Sequence, residues 1–221
     1  MLHYLQELAQ ALDTAALLDA VLRVAAVLLC LTVHETCHGL AAYALGDPTA
    51  KSMHRLSFNP LHHIDWFGLL MMFAAGFGWA KPVPVDARYF KRPKEGMAFT
   101  ALAGPISNLL LALALIGVSR LIYLYAPYYT AAWDTAFTFC LYTAAPLSIG
   151  LGLFNLIPIP PLDGSKVLAV FLPDRAYLTL MRYERYGMLV LLLALSFLGA
   201  FGGVVNGAIM RVYAAMLNLF Y

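Results

Sequence analysis

Charge is what this chain has least of. Asp, Glu, Lys and Arg make up 12% of its 221 residues, against about 25% in a soluble domain. That excludes an ordinary water-soluble globule. With 62% hydrophobic residues and a mean hydropathy of +0.76, the composition is that of an integral membrane protein. The net charge of +2 leaves no basic footprint, so nucleic acid is not an expected partner. Cysteine is scarce: Cys30, Cys37 and Cys140 are odd in number, lie in apolar runs and lack framework spacing, which argues against a disulfide scaffold. Met1 to Ala16 carries Glu7 and Asp13 and no basic n-region, so no cleavable signal peptide is expected. His3, Tyr4, Leu5, Leu8 and Leu12 could form one apolar face of an interfacial helix. No internal repeat is evident.

Long apolar runs are what the chain does have. Four can hold a bilayer-length helix of about 20 residues: Leu17 to Leu45, Met97 to Ser119, Thr135 to Ile157 and Tyr186 to about Gly203. Val204 to Tyr221, apolar except for Arg211, is either a further span or a surface helix. Trp66 to Ala80 is apolar but short and glycine-interrupted, which predicts a re-entrant or interfacial segment. Lys81-Pro82-Val83-Pro84-Val85 follows it, with prolines spaced for extended backbone. The expected fold class is an all-α, polytopic helical bundle forming a single membrane-embedded domain over residues 1–221. Its core would occupy about 17–187, with C-terminal membrane helices over 188–221.

The basic residues orient that bundle. If Trp66 to Ala80 does not cross, Asp47 to Gly96 and Pro158 to Arg185 lie on one side. They hold Lys51, Arg55, Lys81, Arg88, Lys91, Arg92 and Lys94, and Lys166, Arg175, Arg182 and Arg185, leaving only Arg23, Arg120 and Arg211 elsewhere. The positive-inside rule makes these loops cytoplasmic. Arg182-Tyr183-Glu184-Arg185 reads as a solvated anchor before the fourth span, and His54, His62 and His63 read as surface residues near the headgroups.

One pentad does not belong in a plain span. His34-Glu35-Thr36-Cys37-His38 puts two imidazoles at i and i+4, on one helix face, where both can bind one metal ion. The Glu between them can take a proton from a water activated by that ion. An Asp at the centre of a membrane helix costs about 2.5–3.5 kcal/mol on insertion scales, so a carboxylate and two imidazoles there call for a function. Cys37 would point away from the histidine face and reads as a packed thiol.

Two histidines do not complete a catalytic zinc site, which needs a third protein ligand and an open position. Asn155-Leu156-Ile157-Pro158-Ile159-Pro160-Pro161-Leu162-Asp163-Gly164 continues a span yet cannot be helical through its prolines. Irregular backbone at that depth must be buried in protein or line a wet cavity. Asp163 is then either the N-cap of a new helix from Gly164 or the missing ligand.

Here the chain resembles the site-2 protease family of intramembrane zinc metalloproteases. The resemblance rests on the pentad, Ala103-Gly104-Pro105-Ile106-Ser107-Asn108 and the Asn155-to-Gly164 segment, in order and spacing. Gly46-to-Lys51, Asn59-to-Asp65 and Phe77-to-Val85 look like its compact bacterial branch. The family implies one Zn²⁺ held by His34, His38 and Asp163, with Glu35 as catalytic base. It also implies a multi-pass protein of the bacterial inner membrane whose partners are transmembrane substrates, such as anti-sigma-type regulators. The active site is expected toward the cytoplasm. Asn155 is a candidate oxyanion or substrate ligand, or else satisfies backbone groups freed by the prolines. Asn108 could contact substrate or bond across helices. Val83 and Val85 could pair with an unwound substrate as an added strand. No extracytoplasmic PDZ insertion or nucleotide-binding module is evident. A metal-ion transporter, since intramembrane His and Asp also mark ion paths, and a non-catalytic client-binding scaffold are the competing readings.

Overall fold

The computed structural model describes residues 14–75, 80–126, 130–173 and 199–221, with isolated positions between 175 and 187. Among the described residues the elements are helical: α1 (Thr14–Ala44), α2 (Thr49–Ser52), α3 (Trp66–Ala75), α4 (Pro93–Tyr125), α5 (Ala131–Asn155), α6 (Asp163–Ala169) and α7 (Gly199–Leu217). Three of them, α1, α4 and α5, are 31, 33 and 25 residues long and apolar enough to cross a bilayer. The chain is an all-α polytopic membrane protein, as its composition implies. The expected span from Tyr186 and the N-terminal apolar face lie largely outside the described residues.

Small side chains let these helices meet. On α1, buried Ala26, Cys30, His34, His38 and Ala42 recur every fourth residue, a single ridge. On α4 the facing residues include Ala101, Gly104, Asn108 and Ala112, all buried. Without a hydrophobic drive inside lipid, close backbone approach and dispersion hold such pairs together. The outer faces keep large apolar groups exposed, among them Leu17 and Val21 on α1 and Leu110 and Leu121 on α4. Below the site, Ala112, Ile116, Leu141, Ala144, Ile149 and Tyr213 form the packed core. A π-helical turn at Phe139–Ala144 interrupts α5, and Tyr213 of α7 donates its hydroxyl to the Leu141 carbonyl there at 2.9 Å.

The short apolar segment is described over Trp66–Ala75 and at Ala80; the rest of the expected re-entrant or interfacial segment lies outside the described residues. At 10 residues α3 is too short to span. An antiparallel bridge pairs Ile64 with Ala80. Lys94 donates to the Leu172 carbonyl at 3.0 Å, which brings the two basic loops together on one side of the bundle.

At the end of α5 the chain breaks out of helix after Asn155 and re-enters it at Asp163. Gly164 makes this possible. A Cβ there would lie 2.6 Å from the Ile157 carbonyl oxygen and closer still to that of Leu156, both backbone atoms that cannot swing away. Overpacking typically costs about 1–3 kcal/mol, and Gly164→Ala is expected at the upper end. A lowered thermal midpoint of the purified protein is the readout; an unchanged midpoint would mean that α6 starts with room to spare.

Candidate metal centre

The pentad occupies the C-terminal half of α1, and its ridge position turns His34 and His38 inward. Both are buried, at 4% and 9% exposure, as is Asp163 at 8%. Asp163 Oδ2 lies 3.1 Å from His34 Nε2 and 3.2 Å from His38 Nε2. The two rings stand nearly perpendicular, at 87°, with centroids 4.5 Å apart. One candidate ligand atom from each residue falls within 4.8 Å of the other two. These distances suit a zinc ion: donors bound tetrahedrally at about 2.0 Å lie roughly 3.3 Å from one another. The hydrogen bonding suits it too. His38 Nδ1–H donates to the Thr100 carbonyl at 2.7 Å, which leaves its Nε2 lone pair facing Asp163.

Gly104 closes the site from α4. A Cβ on it would reach 2.6 Å from His38 Cε1 and 2.7 Å from His34 Cε1, so both rings pack on bare backbone. Gly104 and Pro105 stand inside an apolar span of the sequence, and which residues pack on them is not written there. Pro105, buried beside it, has no N–H to give the Ala101 carbonyl one turn earlier.

A cavity of about 370 Å³ opens beside the group, lined by His34, Glu35, His38 and Asp163 together with Val83, Val85, Asn155 and Lys166. The structure thus brings most of the singled-out residues to one wall. Asn155 faces the cavity while its Nδ2 donates back to the Leu151 carbonyl at 2.9 Å. Asn108 is fully buried and outside the cavity lining, with its amide against the His34 ring. Cys37 takes no part in the ligand group.

The extended segment is tied down along the cavity wall. Lys81 N–H donates to the His63 carbonyl, Val83 N–H to Glu35 Oε2 at 2.9 Å and Asp86 N–H to Asp47 Oδ2 at 2.7 Å. Arg55 Nη2 donates to the Lys81 carbonyl at 2.8 Å. Two of these anchors were missed in the sequence. Asp47 is completely buried, and its Oδ1 also accepts from Thr49 N–H. His63, expected at the surface, is 3% exposed: its Nε2–H donates to the Ser57 carbonyl at 2.7 Å, behind Thr36 of the pentad. A loop rich in His, Arg and Asp reads as solvated, and only the tertiary contact to α1 overrides that.

A helical membrane bundle carrying an inward-facing His, His and Asp group beside a glutamate defines a membrane metalloenzyme. The sequence comparisons place it more closely. The profile described as Peptidase family M50 matches residues 117–198, which include the Asn155-to-Gly164 segment. "Putative zinc metalloprotease YwhC" of Bacillus subtilis (strain 168) is 39% identical over 161 residues, 73% of this chain and 74% of that protein. "Putative zinc metalloprotease Rip2" of Mycobacterium tuberculosis (strain ATCC 25618 / H37Rv) is 32% identical over 193 residues, 84% of this chain and 71% of that protein. "Zinc metalloprotease MJ0392" of Methanocaldococcus jannaschii is 32% identical over 94 residues, 42% of this chain and 25% of that protein. No solved structure matches the chain. The chain belongs to peptidase family M50, the site-2 protease family, and is a membrane zinc protease.

Proposed function

We propose that this protease cuts peptide bonds within the membrane spans of other proteins, with His34, His38 and Asp163 holding the zinc and Glu35 as general base. The observation that carries the reading is that Glu35 and the three-ligand group line one cavity inside a bundle of membrane-length helices. Bound there, zinc would activate water and polarise the scissile carbonyl. Glu35 accepts the water proton and returns one to the leaving amine. Asn155, on the cavity wall, donates to the carbonyl oxygen as it gains charge. The site faces the cytoplasm, because the loops that flank it carry most of the basic residues. The clients are membrane proteins of the regulatory, anti-sigma kind, selected after a first cut that leaves a short, unstable helix.

A substrate must unwind before its backbone can reach the site, and the extended segment receives it. Pro82 and Pro84 have no N–H, and Lys81, Val83 and Asp86 already donate elsewhere. Val85 N–H is the donor left to pair with a substrate carbonyl. Val85→Pro removes it. One hydrogen bond is worth about 1 kcal/mol, so kcat/KM is expected to fall roughly 5- to 10-fold with zinc content unchanged. Unchanged cleavage would end the strand-addition idea.

The function itself is tested by quantitative mapping of protein termini in membranes of cells carrying the wild type or Glu35→Gln. New termini inside apolar spans, seen with the wild type alone, are expected and would name the client. Identical termini, with both proteins expressed and zinc-loaded, would sink the intramembrane reading.

A further inference from the structure

One imidazole of the metal group has its outer nitrogen fixed by a backbone carbonyl, and the other does not. His38 Nδ1–H donates to Thr100. His34 Nδ1 instead meets the side-chain amide of Asn108, with Nδ2 at 3.0 Å. Asn108 lies one turn beyond Gly104 on the same face of α4 and is fully buried. Its backbone carbonyl accepts the Ser148 hydroxyl of α5 at 2.8 Å, which ties its position to a third helix.

With Nδ2 toward the ring, the amide donates to His34 Nδ1. The ring proton then sits on Nε2, aimed at Asp163, where no metal can be bound. The same orientation leaves Asn108 Oδ1 buried with no hydrogen-bond partner, at the position the amide nitrogen would take after a half-turn. The oxygen and nitrogen of a carboxamide exchange by a half-turn that barely changes its shape, and the hydrogen-bond network decides between them. Turned over, Oδ1 accepts His34 Nδ1–H across the same 3.0 Å contact. The Nε2 lone pair then faces inward beside that of His38.

We propose that Asn108 is a positioning residue for the metal: its side-chain oxygen accepts His34 Nδ1–H and fixes the tautomer in which Nε2 is free to ligate zinc. The proposal rests on the reading of His34 as a ligand. It makes Asn108 the counterpart of the Thr100 carbonyl, so that α4 orients both imidazoles of α1 from outside the metal group. Partners of this kind typically contribute 10- to 100-fold in metal affinity, as a rough scale.

The test measures zinc affinity by chelator competition on the full chain in detergent. Asn108→Leu keeps the branching and number of side-chain heavy atoms and removes the acceptor; zinc binding is expected to weaken about 10- to 100-fold. Asn108→Asp keeps an acceptor and cannot turn a donor toward the ring; affinity is expected to recover to near wild type. A purely packing role predicts the opposite order, with leucine tolerated and a buried carboxylate not. Wild-type affinity in Asn108→Leu, or equal loss in both variants, overturns the proposal. Nitrogen-15 spectra of the zinc-loaded wild type give an answer that needs no variant. A proton on His34 Nδ1 supports the assignment, and a proton on Nε2 overturns it. His34→Ala serves as the control for the underlying reading: full zinc affinity there removes His34 from the ligand set and this proposal with it. Loss there with wild-type affinity in Asn108→Leu removes the proposal alone.

Discussion

Gly104→Ala is expected to yield a folded membrane protein that has lost its zinc. The added methyl would overlap both imidazoles: it lies 2.6 Å from His38 Cε1, 2.7 Å from His34 Cε1, and nearer still to His38 Nε2, the atom that would bind the metal. Carbon atoms rest at about 3.5–4.0 Å, so at least one ring must swing by roughly 1 Å. The spacing of 3.1 and 3.2 Å that brings both Nε2 atoms to Asp163 cannot survive that. The fold can survive it, because the clash is with side chains and alanine favours helix over glycine by about 1 kcal/mol. This separates the variant from Gly164→Ala, where the obstruction is backbone. Zinc affinity is expected to drop by at least about 100-fold, the upper end for disturbed ligand orientation. Zinc per chain after dialysis against a chelator of known strength is the measurement. Wild-type zinc in a normally folded Gly104→Ala protein would show that the rings do not rest where the structure has them.

That glycine illustrates what the sequence could and could not disclose. The histidine pair was legible because its chemistry is local: i and i+4 on one helix, continuing a ridge of Ala26, Cys30 and Ala42. Three spans were legible from hydropathy, and α3 from its shortness. Asp163 was legible only indirectly, through a proline run that a membrane tolerates solely where it is buried or lines a cavity. Nothing local says that it meets His34, 129 residues away. Asp47 carried a partial signal, since Asp-Pro-Thr after a helix suggests a turn closed by the aspartate side chain. Its bond to Asp86 N–H, 39 residues on, did not. His63 was misread because loop composition stands in for exposure only until a tertiary contact overrides it. Contacts between distant segments are set by packing, and a single sequence gives the faces that pack without the partners they choose.

Glu35 is where the geometry allows chemistry to be separated from scaffolding. Its Oε2 accepts Val83 N–H at 2.9 Å, so the residue also helps to hold the extended segment along the cavity wall. A loss of activity in Glu35→Ala would therefore be ambiguous. Glu35→Gln is not: the amide oxygen still accepts Val83 N–H, the volume is conserved, and only the ability to take a proton is gone. If Glu35 is the base, the Glu35→Gln protein retains wild-type zinc and loses about 10²–10⁴-fold in kcat, equally in kcat/KM, because the interaction is made only in the transition state. If Glu35 serves only to anchor Val83, glutamine restores what alanine loses, and kcat returns to near wild type. Single-turnover cleavage of a detergent-solubilised transmembrane peptide, with zinc measured on the same sample, distinguishes the two. Activity in Glu35→Gln within about threefold of wild type, well short of the loss expected for a missing general base, would remove Glu35 from the chemistry. The proton would then have to leave through another group on the cavity wall. Lys166 is the titratable side chain there outside Glu35 and the ligand group.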